Sequence, residues 1–406
     1  MKSMPAPRRI WRRRLLWSCL VAGLLFGALG LIARHGLPLG GDAAREYAQM
    51  LERDLPAGRA VDDIPPNTWV KLHQPWRLAW RRQSHAGAAY DGKRGLLLLF
   101  GSNTHGLDWD NEVHVFDPDA RRWYSPYPAS SPDSYRLDEQ DRAIAGEDEL
   151  RPWAMHTYDT VVYDAGRDAL VVLARPDHNP KTKEFRGRAR HLSWRYDLES
   201  GTWDTLDTNE PGRMPRFFAM AAAYDGQRDT LVVYGGGVWE MGPARDGWQL
   251  ASREFHHRMH HTLEYDSVRG LFAVFGDYRK TNKVWIYRPG PRAGDPGRWE
   301  EREPSGDVPP PSQTLPVAYD PGHQSFLLCV DRASPQADGS DVADTYLYDV
   351  DENRYRRLPM ASVERLGMNY DMVFDTRRGV FLLVTGDWRT PPVVWALRLN
   401  PRLLRD

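Results

Sequence analysis

The sequence predicts an all-β fold, a six-bladed β-propeller, because one short pattern occurs six times along the chain. Each copy has an aromatic residue, an Asp, a basic residue three positions later, and then a run of apolar residues. The aromatic–Asp pairs are Tyr90-Asp91, Tyr163-Asp164, Tyr224-Asp225, Tyr265-Asp266, Tyr319-Asp320 and Phe374-Asp375. The composition agrees, since 16 Trp and 18 Tyr suit pleated strands, while 34 Gly and 31 Pro suit many tight turns.

We interpret each copy as a β-hairpin. The Asp carboxylate can accept hydrogen bonds from the backbone amides two and three residues later, which opens a turn. Glycines inside four of the turns offer permissive dihedral angles, namely Gly92, Gly166, Gly226 and Gly322. The apolar runs, such as residues 96–100, indicate strands that are buried on both faces, as stacked blades require. A further aromatic pair downstream, such as Phe116 and Trp123, predicts two more strands per blade.

These repeats resemble the kelch family. The glycine pair that ends the second strand of a kelch repeat is present as Gly235-Gly236, and single glycines stand there at Gly101, Gly276 and Gly386. Ala174-Arg175 and Val330-Asp331 depart from the pattern. The resemblance covers roughly residues 67–400 and implies a kelch-type propeller, but a fold of this kind hosts many functions.

The N-terminal part of the propeller is expected to close the ring. The sixth copy can form its third strand over residues 393–399, yet no Trp-x-x-Leu follows before Asp406. That motif occurs earlier, as Trp69-Val70-Lys71-Leu72, and it matches Trp203-Asp204-Thr205-Leu206 of the second copy. We therefore expect the propeller to span residues 67–406, with an N-terminal strand completing the sixth blade and removing an exposed edge.

The first 66 residues predict a membrane anchor. Residues 15–33 carry no charge and are nearly long enough, as a helix, to cross a hydrocarbon core of roughly 30 Å. Residues 1–14 are basic, which predicts a cytoplasmic tail, a single-pass inner (plasma) membrane anchor, and a propeller on the periplasmic or extracellular side. Residues 34–66 form a tether. The alternative is a cleaved signal peptide with its cleavage site near Ala28-Leu29-Gly30.

Charge and motifs limit the function classes. The formal net charge is −1, so no global field attracts nucleic acid. The two cysteines, Cys19 and Cys329, suggest no disulfide, and no zinc-ligand spacing or phosphate-binding glycine motif occurs. The sequence therefore predicts no cofactor and no bound metal.

One face of the propeller is predicted to bind the ligand or partner. Connections from the second to the third strand, and from the fourth strand to the next blade, share this face, which we call the long-loop face. The long segments 126–152, 174–190, 207–216, 303–313 and 331–344 are all connections of these two kinds. Elaborated loops on a rigid scaffold commonly carry function.

Two sets of side chains on that face are candidate ligand-binding residues. The first set follows the second strand in blades four to six and consists of Asp277, Arg279, Asp331, Arg332, Asp387, Trp388 and Arg389. An Arg fork binds carboxylate or phosphate, and a neighbouring aromatic ring can support a sugar. The alternative is that each Asp pairs locally with its Arg to finish a hairpin.

The second set is three histidines at the starts of inner strands, His85, His156 and His260. Three imidazoles could bind zinc or copper. A histidine at this position is also part of the kelch pattern, however, so the resemblance implies a structural or ligand-binding role and not a metal centre.

Two functions follow as expectations. The first is a membrane-anchored recognition or assembly module of the cell envelope that binds a protein or an anionic glycan on its long-loop face. The second is a periplasmic sugar-processing enzyme resembling the kelch sialate mutarotases or, less favoured, a metal-dependent oxidase of the galactose-oxidase type. Cys329 lacks the surroundings of the copper site in such oxidases. Whether the protein is an enzyme stays open, because no unmistakable acid–base set stands out.

Overall fold

Each aromatic–Asp copy forms the turn between the two innermost strands of an antiparallel sheet. The computed structural model describes residues 61–406 apart from 74–84, 103–108, 148, 175–178, 186, 191, 207–218, 245–246, 280, 335, 337–340, 388–389, 401 and 403–406. The predicted tail, the anchor over residues 15–33 and most of the tether lie outside these residues. Within the described ranges, no helix is both long and apolar enough to cross a membrane.

Six sheets form the blades of the propeller, and each blade has four main strands. The strands of each blade are named here in spatial order, from the channel outward. Blade one consists of β2 (Gly87–Asp91), β3 (Leu96–Phe100), β4 (His114–Asp117) and β5 (Arg122–Tyr124). Blade two consists of β8 (Val161–Asp164), β9 (Ala169–Val172), β10 (Trp194–Asp197) and β11 (Thr202–Thr205). Blade three consists of β12 (Ala221–Asp225), β13 (Thr230–Tyr234), β14 (Val238–Met241) and β15 (Gln249–Ser252).

Blade four consists of β16 (Thr262–Asp266), β17 (Leu271–Phe275), β18 (Val284–Arg288) and β19 (Arg298–Arg302). Blade five contains β21 (Val317–Asp320), β22 (Ser325–Asp331), β23 (Val342–Asp349) and β24 (Arg354–Arg357). Blade six consists of β26 (Met372–Asp375), β27 (Val380–Asp387), β28 (Thr390–Leu397) and, as its outermost strand, β1 (Val70–His73). Short strands β20 (Ser305–Gly306) and β25 (Val363–Glu364) join blade five, β6 (Arg136–Leu137) pairs with β7 (Ala143–Ile144), and a short helix, α1, spans Pro180–Glu184.

The inner strands form a closed ring around a central channel. Each contacts the inner strand of the next blade, from β2 through β8, β12, β16 and β21 to β26, and β26 contacts β2 again. Correspondingly, six of the buried apolar clusters among the described residues each lie between two neighbouring blades. The six-bladed fold predicted from the repeat is therefore confirmed.

The ring closes through the N-terminal strand, as the sequence predicts. Val70 of β1 pairs with Ala396 of β28, and Lys71 pairs with Trp395. Leu72 is fully buried in the cluster between blades six and one, and the Trp69 indole donates a hydrogen bond to Thr345 Oγ1 at 2.8 Å. The outer edge of blade six is thus paired by a segment far from it in sequence.

The hairpin turns confirm one part of the turn prediction and correct another. Asp91 Oδ1 accepts hydrogen bonds from the amides of Lys93 and Arg94, both at 2.9 Å. The left-handed residue, however, is not the predicted glycine but the fourth residue after the Asp: Gly95, Asp168, Asp229, Gly270, Gln324 and Gly379. A type I turn followed by a left-handed residue matches the twist of the flanking strands, which is the reason for this position.

The structure also explains the basic residue three positions after each Asp. In blade four, Arg269 Nη1 donates to the buried carboxylate of Asp266 at 2.7 Å. The same guanidinium reaches Asp351 of blade five, with Nη2 at 2.6 Å from Oδ2. The repeat therefore encodes an ion pair that neutralises a buried Asp and, in several blades, ties it to the next blade.

Candidate functional site

The inner strands all begin at the same end of the channel, on the long-loop face. Four of the residues just before them have left-handed backbone angles although none is glycine, with φ of 50° at Tyr158, 52° at Ala219, 58° at His260 and 43° at Thr314. Such a conformation costs about 1–3 kcal/mol per residue and concentrates at functional sites. We call this end the channel mouth.

Aromatic side chains from four blades meet at the channel mouth. The rings of His85 and His156 stack in parallel with their centroids 3.9 Å apart. His156 Nδ1 lies 3.1 Å from the Tyr158 hydroxyl, and His260 Nδ1 lies 3.1 Å from the Tyr370 hydroxyl. Tyr158 joins the two pairs, since its ring centroid is 5.5 Å from that of His260 and 6.2 Å from that of Tyr370. We name these five residues the mouth cluster.

The three histidines predicted from the sequence are therefore brought together. His156 and His260 are buried, and burial lowers the pKa of His260 to about 4. A neutral imidazole both donates and accepts hydrogen bonds, so His260 presents an uncharged polar group at neutral pH.

Carboxyl groups lie next to the mouth cluster, along the inner strands. Asp159 Oδ2 accepts a hydrogen bond from the Leu263 amide at 2.7 Å, and Glu264 Oε1 accepts one from the Tyr319 amide at 3.0 Å. Asp371, adjacent to Tyr370, is fully buried. The inner strands have an unpaired edge toward the channel, and these carboxyl groups satisfy two of its amides.

Burial raises the pKa of two of these groups. Burial raises the pKa of Glu264 to about 8, although the hydrogen bond from the Tyr319 amide acts in the opposite direction. Burial also raises the pKa of Asp159 well above its usual range, against the hydrogen bond from Leu263 and with the help of the negative charges of Glu264 and Asp371. At neutral pH Glu264 is therefore a carboxylic acid that can donate a hydrogen bond as well as accept one, and the raised pKa of Asp159 favours its protonated form.

Sequence reasoning missed these three carboxyl groups, although signals for them exist. Tyr158-Asp159 and Tyr370-Asp371 are aromatic–Asp pairs that stand outside the six repeats, a few residues before the second and sixth copies. Glu264 precedes the aromatic residue of the fourth copy, where the other copies have Ala89, Val162, Ala223, Ala318 and Val373. A lone charge at an otherwise small apolar position is the detectable anomaly.

In blades four and five, the predicted arginines lie on the same face, but their charges are already paired. Arg279 Nε donates to the buried carboxylate of Asp277 at 2.7 Å, so the local-pairing alternative holds in blade four. Arg332 forms a bidentate pair, not with Asp331 but with Asp344 across the sheet, at 2.8 Å from each carboxylate oxygen.

The remaining members of that set are placed as follows. Asp331 accepts hydrogen bonds from the amides of Leu366 and Gly367, at 2.8 and 3.0 Å. Asp387 is the last residue of β27, and Trp388 and Arg389 lie outside the described residues. In the described parts of blades four and five, the arginines therefore serve local ion pairs.

An exposed tyrosine lies at the rim of the mouth. The Tyr278 amide donates to the Met259 carbonyl at 2.9 Å, which places its ring centroid 6.2 Å from that of His260. The guanidinium of Arg258 covers the ring at 5.1 Å, and Tyr278 remains 46% exposed. A flat exposed ring beside polar groups is a suitable platform for the apolar face of a sugar.

Metal-ligand geometry occurs elsewhere. Among the described residues, one group of His, Cys, Asp or Glu side chains has ligand atoms close enough to hold a metal ion together. It consists of Asp110 and Glu112, just before β4, and His114, the first residue of β4. The three predicted histidines do not form such a group.

Comparison with known proteins adds a likeness of fold. No protein-family model and no curated protein matches the sequence. Among solved structures, the chain is similar to a gluconolactonase, XC5397 from Xanthomonas campestris, with 12% identity and a TM-score of 0.48, over 81% of this chain and 88% of that chain. Both values are too low for this likeness to say what the present chain does.

Proposed function

We propose that this protein is a divergent kelch-type propeller that binds an uncharged, polyhydroxylated ligand of carbohydrate type at the channel mouth. The observation that carries the proposal is the pair of carboxyl groups with raised pKa, Asp159 and Glu264, which accept hydrogen bonds from backbone amides beside the mouth cluster. A protonated carboxyl group both donates and accepts hydrogen bonds, as a sugar hydroxyl does. Such a carboxyl group can therefore form hydrogen bonds with a sugar hydroxyl while both groups are uncharged. Tyr278 adds a ring against which a sugar can stack.

The charges at the site favour a neutral ligand over the anionic glycan expected from the sequence. Arg279 and Arg332 are compensated by Asp277 and Asp344, so neither offers a whole positive charge to a ligand. The third carboxyl group, Asp371, further disfavours an anion in the channel.

A thermal-shift screen of the full-length protein with neutral and acidic sugars tests the proposal. Because a ligand that binds the native state raises its apparent stability, we expect neutral sugars to raise the melting temperature and sialic or uronic acids not to. Tyr278→Ala should weaken sugar binding about tenfold, from the loss of roughly 1–1.5 kcal/mol of ring contact. Tyr124→Ala, at an exposed tyrosine of outer strand β5, is the matched control. Binding of acidic sugars alone, or equal losses in both variants, would contradict the proposal.

A sugar-processing activity is a second candidate, favoured by one observation. The pKa of Glu264, raised to about 8, suits a group that donates a proton at neutral pH. Glu264→Gln keeps the shape and the neutral charge but cannot transfer a proton. If the protein is an enzyme, this variant should lose a factor of about 10²–10⁴ in turnover while it keeps its affinity. Unchanged turnover in Glu264→Gln would exclude this role.

We also propose that the propeller is anchored in the inner membrane and exported. This rests on the uncharged segment 15–33 and the basic residues before it. A reporter that is active only outside the cytoplasm, fused after Asp406, should be active in cells. A reporter active only in the cytoplasm would overturn the topology, and a mature chain beginning near residue 31 would replace the anchor with a cleaved signal.

A further inference from the structure

We propose that Asp110, Glu112 and His114 form a binding site for one divalent transition-metal ion of the zinc class. Asp110 and Glu112 lie in the segment that leads into β4, and His114 is the first residue of that strand. In an extended chain, alternate side chains point to the same side, so the spacing itself brings three potential ligands together.

The ligand atoms converge on one point. Asp110 Oδ2 lies 2.7 Å from His114 Nε2, and Glu112 Oε2 lies 3.9 Å from the same nitrogen. All three ligand atoms lie within 4.8 Å of one another. Zinc–oxygen and zinc–nitrogen bonds are about 2.0–2.2 Å long, so small side-chain shifts let a single ion contact all three atoms.

The group is more than a pair of acidic residues, because its third member is a buried imidazole. His114 is only 5% exposed, and its Nε2 faces the two carboxylates. Burying the lone pair of an imidazole nitrogen against two carboxylates is energetically unfavourable unless a proton or a metal ion lies between the nitrogen and the carboxylate oxygens. Without metal, Nε2–H donates to Asp110; with metal, the ion replaces that proton.

The surrounding structure holds the carboxylates in place. Asp110 Oδ1 accepts from the Glu112 amide at 2.9 Å, and Glu112 Oε1 accepts from the Ala129 amide at 2.6 Å. Each carboxylate thus uses one oxygen on a backbone amide and directs the other toward His114. Such outer-shell hydrogen bonds orient metal ligands.

The residue between the two acids fixes the segment itself. Asn111 is fully buried, its Nδ2 donates to the Pro152 carbonyl at 2.9 Å, and its Oδ1 accepts from the Ser130 amide at 2.8 Å. The neighbouring loop, residues 126–152, therefore locks the ligands into one geometry before any ion binds.

The donor set indicates the class of ion. One imidazole and two carboxylates carry a formal charge of −2, which favours a dication, and the ring nitrogen selects zinc-like metals over calcium, which takes six to eight oxygen ligands. Three protein ligands leave a coordination position open for water or for a small ligand. The site belongs to blade one and is separate from the mouth cluster.

Calorimetric titration of the full-length, chelator-treated protein with zinc tests the proposal, with manganese and calcium as comparison ions. We expect one equivalent of zinc to bind and calcium not to compete. Glu112→Gln and His114→Gln should each reduce the affinity at least tenfold. Cobalt in place of zinc should give visible absorption bands that both variants lose.

The matched control is His323→Gln. His323 also contacts a carboxylate, with Nδ1 2.5 Å from Asp320 Oδ2, but outside the converging group. The control should bind zinc as the unaltered protein does. Absence of stoichiometric binding, or an equal loss in His323→Gln, would overturn the proposal. If His114→Gln fails to fold, Glu112→Gln alone decides, because Glu112 lies nearer the surface.

Discussion

Arg378 shows why the repeat keeps a basic residue after its Asp. Its Nη1 lies 2.6 Å from Oδ2 of the fully buried Asp375, and its Nη2 lies 2.6 Å from Oδ2 of Asp119 in the next blade. Removing the cation leaves a buried carboxylate without its counter-charge, although Tyr90 and two backbone amides still donate to it, and breaking such a buried pair costs roughly 3–5 kcal/mol. Arg378→Leu should therefore lower the free energy of unfolding by about that amount in urea titrations.

The neighbouring residue provides the control for this effect. Arg377 extends into solvent and donates to the Lys93 carbonyl at 3.3 Å. Arg377→Leu should change the unfolding free energy by less than about 0.5 kcal/mol, as exposed substitutions usually do. If both variants unfold at the same urea concentration, the buried ion pair does not stabilise the turn.

Buried histidines should make the protein sensitive to acid. Burial lowers the pKa of His73 and His261 to about 4. Between pH 6.5 and 4 the unfolded chain binds protons at these rings and the folded chain does not, so stability should fall as the pH falls through that range. His261→Gln can still donate a hydrogen bond to the Tyr234 carbonyl, and it should reduce the loss of stability at acid pH. If the melting temperature of this variant falls as much as that of the unaltered protein between pH 7 and 4.5, buried His261 does not cause the acid sensitivity.

At the scale of single residues, the sequence predicts which groups gather but not what they contact. The repeat places His85, His156 and His260 on one face, because they hold similar positions in their copies. It does not predict the role of Asp159, because this carboxyl group reaches past blade three to Leu263 of blade four. The alanines of β12 leave the room for that contact, and a one-dimensional pattern does not reveal it.

Strand β1 is the element whose contribution is easiest to test. Deleting residues 67–72 removes its pairing with β28 and the burial of Trp69 and Leu72. Each buried side chain contributes about 1.5–3 kcal/mol, so the melting temperature should fall by many degrees. Deleting six residues of the predicted tether, 40–45, controls for chain length. Equal melting temperatures would mean that β1 does not hold the ring closed.

Strand boundaries are the part of the elements that sequence reasoning describes least well. The sequence predicts a loop over residues 331–344, yet β22 continues to Asp331 and β23 begins at Val342, which brings Arg332 against Asp344. The repeat marks the turn between the first two strands strongly. Nothing comparable marks the ends of strands that face the long loops, because pairing there depends on residues from other parts of the chain.

At the scale of the whole molecule, the two faces of the propeller have different roles. The face with the short turns carries ion pairs that join neighbouring blades, such as Arg94 with Asp168 and Arg269 with Asp351. The opposite face carries strained residues, the mouth cluster and the two carboxyl groups with raised pKa. A rigid ring held from one side can support a polar, partly strained site on the other.

We expect the channel to hold Glu264 as a carboxylic acid at neutral pH, and difference infrared spectroscopy measures this directly. Comparing the full-length protein with Glu264→Gln at pH 7 should show the carbonyl absorption of one protonated carboxyl group that the variant lacks. That absorption should disappear as the pH rises through about 8, the pKa to which burial raises Glu264. If the spectra at pH 7 show Glu264 ionised, and protonation only near its usual pKa of about 4.3, the account of the channel mouth is wrong.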